Sequence, residues 1–151
     1  MPDGGPYVSV ACACEKVLTE QDGVLSIIRV IDRVFHQVVG PEAPTQFEPF
    51  TFNFVLLVTL KSGDARGSYT VEIRPEAPSG ERFDPLVSVP VLFEGEERGA
   101  NLILNMGFQV QMEGLYWFDV LFQDKVLTRV PLRVVYQPTR TAGPTMPQPP
   151  S

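Results

Sequence analysis

An all-β antiparallel sandwich of about eight strands is the fold class this sequence predicts. Three observations point there. Short segments alternate apolar and polar side chains with period two, as half-buried strands do. The 15 prolines and 12 glycines stand mostly between those segments, where turns between short strands belong. No long segment keeps a helical period. With 44% hydrophobic and 20% charged residues, a chain of 151 residues can bury one core without disulfides or a metal.

The first expected strand, Tyr7 to Glu15, sets Val8, Val10, Cys12 and Cys14 against Tyr7, Ser9, Ala11 and Ala13. Glu20-Gln21-Asp22-Gly23 then supplies turn chemistry and leads to Val24–Ile31, dense in β-branched side chains and therefore a strand. The polar residues Ser26, Arg29, Asp32, Arg33, His36 and Gln37 recur at helix-like spacings, so a turn or short helical piece is expected around Asp32 to His36. Pro41, Pro44 and Pro49 make the next stretch irregular.

Phe50 to Lys61 is the clearest strand. Phe50, Phe52, Phe54, Leu56, Val58 and Leu60 form a wholly apolar row. After the loop of residues 62–67, Tyr69, Val71 and Ile73 form a half-buried strand expected to pair with it as a hairpin. Leu86 to Glu94 carries Pro90, which cannot donate to a ladder, so it is an edge strand. Ala100 to Met112 buries Leu102, Leu104, Met106, Phe108 and Val110. Leu115 to Gln123 faces Tyr116, Phe118, Val120 and Phe122 inward and Trp117, Asp119 and Leu121 outward. Asp124-Lys125 connects it to the last strand, Val126 to Tyr136.

The expected organisation is a flexible N-terminus over 1–6, one sandwich domain over 7–136 and a disordered proline-rich tail over 137–151. Prolines 144, 147 and 150 give the tail a PxxP spacing, the loose pattern of polyproline ligands.

The run Gly23-Val24-Leu25-Ser26-Ile27-Ile28-Arg29-Val30-Ile31-Asp32-Arg33-Val34, preceded by Val8 to Cys14 and followed by a long alternating strand, resembles a family of small bacterial proteins of unknown function. That family opens with an apolar strand, a short loop and a G-x-L-x-I-I-G-x-x-D-x-I run. The closing stretch, Gly114 to Trp117 through Leu127 to Val134, is similar to its final hairpin. The resemblance covers residues 7 to 136 and implies a single immunoglobulin-like, C2-like sandwich, with no activity to carry over. The chain departs at Arg29, where the family tends to carry glycine, which bears on the local turn.

Chemical motifs are absent from the sequence. Cys12 and Cys14, two apart on one strand, are poorly placed for a disulfide and too few to hold a metal with the single histidine, His36. No nucleophile elbow, HExxH, P-loop or dinucleotide turn occurs. No catalytic, cofactor-binding or metal-ligating residue is expected, and the protein is read as non-enzymatic. A net charge of -6 argues against nucleic acid as a partner. No apolar run is long enough to span a membrane, and the start lacks a basic leader, so a cytoplasmic protein is the default expectation.

Two functions remain to be weighed. Val55, Leu57, Ile103, Trp117 and Leu121 lie on outward faces and are the candidate surface for another protein, or for self-association through that face or a strand edge. The alternative is a calcium- or ligand-binding C2-like module, in which Glu20, Asp22, Asp64, Glu94, Glu96, Glu97 and Asp124 would gather at one end of the sandwich.

Overall fold

The computed structural model describes residues 4–39 and 47–139. Among them are nine strands and no helix: β1 (Tyr7–Thr19), β2 (Leu25–Ile31), β3 (Arg33–Val39), β4 (Phe50–Lys61), β5 (Arg66–Glu76), β6 (Val87–Glu94), β7 (Gly99–Val110), β8 (Gly114–Phe122) and β9 (Lys125–Thr139). They form a four-stranded sheet, β2-β1-β4-β7, and a five-stranded sheet, β3-β9-β8-β5-β6.

The core is built from the inward rows read in the sequence. Phe54, Leu56, Val58 and Leu60 of β4 and Leu102, Met106, Phe108 and Val110 of β7 meet Val71 and Ile73 of β5, Tyr116, Phe118 and Val120 of β8, and Val130, Leu132 and Val134 of β9. Phe118 joins the layers, edge-on to Phe54 at 5.2 Å and to Phe108 at 5.5 Å. Such aromatic pairs add to the area they bury. The Tyr116 hydroxyl donates to the Met112 carbonyl at 2.6 Å and accepts from the Met112 amide at 3.2 Å, tying the turn before β8 to its first buried residue.

The strand count is nine, because Arg33–Val39 is a strand where a turn or short helix was expected. It pairs parallel with β9, Arg33 opposite Arg133 and Val39 opposite Thr139, at the edge of the five-stranded sheet. Residues 33–37 alternate exposed and half-buried as a strand's do, but apolar Phe35 stands on the exposed row and polar His36 on the half-buried one, which hides period two in the sequence. His36 is half-buried rather than a turn residue, and its ring stacks on Phe50 at 3.9 Å.

Three further differences have local causes. A register shift between Val8 and Val10 turns β1 over, so Val8, Ala11 and Ala13 face the core while Cys12 and Cys14 face outward. The expected β4–β5 hairpin does not form: β4 lies between β1 and β7, while β5 lies between β8 and β6. The chain crosses from one sheet to the other in residues 62–65, where Ser62 is buried and Gly63, at φ +55°, passes under the N-terminal segment. A Cβ on Gly63 would stand 2.5 Å from the Gly5 carbonyl oxygen. Finally, the β8–β9 connection is Gln123-Asp124, both at positive φ as a primed hairpin turn requires, one residue earlier than expected.

Arg29 stands in left-handed backbone at φ +57°, in the middle of β2. Only glycine takes that conformation without cost, so the position suits the glycine of the resembling family pattern. As expected, β6 with Pro90 is an edge strand. The tail expectation falls outside the described residues from 140 onward, and β9 continues through Thr139 before that point.

Candidate interaction surface

The five outward apolar residues do not form one patch. Val55 and Leu57 on β4 and Ile103 on β7 belong to the four-stranded sheet, whereas Trp117 and Leu121 on β8 belong to the five-stranded sheet. Leu57 is 2% exposed and Leu121 is likewise buried, so neither is open to a partner. Val55 and Trp117 are half-buried, and Ile103 is exposed.

The outer face of the five-stranded sheet is ionic. Arg74, Asp119 and Arg129 are cross-strand neighbours on β5, β8 and β9. Asp119 is 1% exposed on the nominal solvent side. It accepts from Arg129 Nε at 2.7 Å and from Arg74 Nη2 at 3.3 Å. Arg129 also donates through Nη2 to Glu76 at 2.7 Å, and Arg82 Nε reaches the other Glu76 oxygen at 3.1 Å. These hydrogen bonds, Arg129 first and Arg82 second, hold the Glu76 carboxyl below the usual carboxylate range. The Arg129 guanidinium lies 4.7 Å from the centre of the Trp117 ring. Trp117 is thus an internal partner of this network.

The outer face of the four-stranded sheet has the opposite character. One cross-strand row runs Val30, Cys14, Val55 and Asn105, and the next runs Cys12, Leu57 and Ile103. Val30 is 64% exposed, Ile103 41% and Val10 40%. The remaining outward positions are chiefly Thr and Asn, with Thr59 donating to Asn101 at 2.8 Å. Along the alternation of its strands the charged side chains are Lys16 and Lys61, at opposite ends, and carboxylates meet the face at its margins, where Glu15 lines a cavity beside Asn53 and Val55, Glu20 accepts from Ser26 and Glu97 accepts from Tyr7. As free thiols acting as small hydrophobes, Cys12 and Cys14 are expected to be buried, and Cys14 is 0% exposed and Cys12 half-buried, but on the row away from Val8. The register shift that brings them to this face is invisible in an alternating pattern. Burial pushes both thiols above their usual pKa, which keeps them protonated and apolar in character.

The acidic turns are divided between the ends. Glu20 and Asp22 follow Thr19, beyond the start of β4, while Asp64, Glu94, Glu96, Glu97 and Asp124 lie toward the end marked by Tyr7 and Lys61. The additional strand β3 reverses the chain once more than expected and separates the two sets. Among the described residues no group of three His, Cys, Asp or Glu side chains converges as a metal site.

A family model matches residues 9–135, and its description is a family of unknown function, DUF6941. The chain belongs to this family. The matched span of this DUF6941 member runs from β1 into β9 and takes in both sheets. A search of curated proteins finds no match. Among solved structures, the DUF6941 chain is similar to a β-glucosidase from Listeria innocua in complex with glucose, at 10% identity and a TM-score of 0.47, over 87% of this chain and 17% of the enzyme's. The same enzyme in complex with isofagomine aligns at 14% identity and a TM-score of 0.44, over 60% of this chain and 16% of the enzyme's. This chain thus spans less than a fifth of the enzyme chains it aligns with.

Proposed function

We propose that this protein is a non-enzymatic interaction or assembly module that binds another protein through the outer face of the β2-β1-β4-β7 sheet. One observation carries the reading: a sheet face that exposes Val10, Val30 and Ile103 and carries its acids only at the margins, on a chain of net charge -6. An acidic chain that keeps the middle of one face free of acids can bring that face against another protein with little charge repulsion. The opposite sheet's outer face supports the assignment by contrast, since Arg74, Asp119, Arg129 and Glu76 at its centre are already engaged with one another. An immunoglobulin-like sandwich and a cytoplasmic setting go with this reading. The back-bonded Tyr116 at the start of the penultimate strand is a feature of immunoglobulin-like domains and supports the first.

The test is capture from native extract alongside sedimentation, using three proteins: wild type, Ile103→Glu, and Val126→Glu as a control on an exposed residue of β9. A partner or dimer held by wild type and the control but lost with Ile103→Glu is expected. A wild-type protein that is monomeric with no partner, or equal loss in both variants, contradicts the assignment.

A further inference from the structure

We propose that the free edge of β7 pairs antiparallel with β7 of a second copy of this chain, joining two four-stranded sheets into one. This goes beyond the sheet-face reading above, because the contact is a strand edge and its partner is the protein itself.

The two sheets end in four edge strands, β2 and β7 in one and β3 and β6 in the other. An open edge is a template for another strand, and proteins that stay single guard it with charge, proline or a bulge. Three of these edges carry such guards. β6 has Pro90 and Glu94, β2 has Arg29 in left-handed backbone, and β3 begins at Arg33. β7 has none. It pairs with β4 from Gly99 to Val110 without a register shift and contains no proline. Every other strand carries at least one Asp, Glu, Lys or Arg, whereas β7 carries no charged residue at all. On the side away from β4 its alternate N–H and C=O groups have no ladder partner among the described residues.

Charge and register select a second copy as the occupant. Two copies each carry a net charge of -6, so their approach is least opposed along the one strand without charge. The nearest charges, on the turn before β7, are engaged within the chain: Arg98 pairs with Glu94 and Glu96, and Glu97 accepts from Tyr7. A two-fold axis at Ile103 makes the edge its own complement. On the outward row it sets Ile103, 41% exposed in the single chain, against Ile103 of the other copy, and Asn101 against Asn105. On the inward row half-buried Leu104 meets Leu102. Of the registers that keep the faces aligned, only this one sets Ile103 on itself. The ladder then spans residues 99–107 and stops short of Phe108, against which Phe83 packs from the loop before β6.

Such an edge is roughly 30 Å long and about 10 Å deep, and burying it on both copies covers roughly 600 to 900 Å². That is the area of a reversible contact, so the dimer is concentration-dependent. The chain's own C-terminal sequence is a poor occupant of the edge, since prolines at 144, 147, 149 and 150 interrupt any ladder.

Sedimentation of the full chain from micromolar to millimolar concentration tests the pairing on wild type and two double variants, Asn101→Lys with Asn105→Lys, and Asn101→Glu with Asn105→Glu. Wild type should pass reversibly from monomer to dimer. Each variant alone sets like charges opposite each other and should dimerise about tenfold more weakly, while an equimolar mixture of the two sets Lys against Glu and should recover the dimer. Asn101 also accepts from Thr59, so thermal unfolding of each variant checks that the fold is intact. Hydrogen exchange on wild type gives a readout independent of the variants: alternate amides in residues 99–107 should exchange rapidly in dilute solution and slow as concentration rises. A wild type that stays monomeric throughout overturns the edge dimer and leaves capture of another protein by the sheet face standing. A dimer that the mixed variants fail to recover, or amides in residues 99–107 all protected in the dilute monomer, overturns it as well.

Discussion

Asp119 shows how a residue on the solvent side of a sheet becomes buried. Its own strand gives it no cover, but Arg74 and Arg129 lie beside it in register and close over it with two hydrogen-bonded guanidiniums. Removing the carboxylate leaves two cations facing each other, so Asp119→Ala should cost about 2 to 4 kcal/mol in urea unfolding. Glu76 has a pH signature. Its carboxyl titrates below the usual range in the folded state, so its contribution is complete above its unfolded pKa, near 4.5, and is lost as pH falls through the folded value. Thermal unfolding from neutral to acid pH should therefore show a steeper acid limb in wild type than in Glu76→Gln. At the turn before β8, Tyr116→Phe strips the Met112 carbonyl of its donor and should cost about 1 to 2 kcal/mol. These partners were not legible in sequence: alternation placed Trp117, Asp119 and Leu121 outward, but which long side chain lies over which neighbour depends on cross-strand register.

At the scale of elements, β4 and β7 were readable because each carries an unbroken inward row, Phe54 to Leu60 and Leu102 to Val110, that a core must cover on one side only. β1 was readable as a strand but not in its facing, because one irregularity between Val8 and Val10 moves every later side chain to the other face. β3 was hidden, since Arg33, His36 and Gln37 on an edge strand carry the spacing of a helix surface. Arg29 on β2 had a readable clue, the departure from glycine in the resembling pattern, and the backbone there is left-handed. Arg29→Gly should accordingly raise stability by roughly 0.5 to 1 kcal/mol, and Arg29→Val should lower it by more, since a β-branched side chain tolerates positive φ least. Chemical denaturation of the two variants against wild type checks both signs.

For the whole molecule, composition and turn spacing were enough for an all-β fold in two sheets, but not for which strand joins which sheet. The crossing from β4 to β5 turns on Ser62 and Gly63, a buried turn that reads in sequence like any hairpin loop. That crossing decides the functional surface, because it puts Val55, Leu57 and Ile103 on one outer face and Trp117 and Leu121 on another. The first face exposes Val10, Val30 and Ile103 with acids only at its margins; the second is covered at its centre by its own ion pairs. The most direct test places a photoreactive side chain at Ile103 in one protein and at Val126 in another, and irradiates each in native extract. Discrete protein adducts from position 103 and none from position 126 are expected. No adduct at 103, or the same adducts from both positions, would contradict a binding role for the four-stranded sheet.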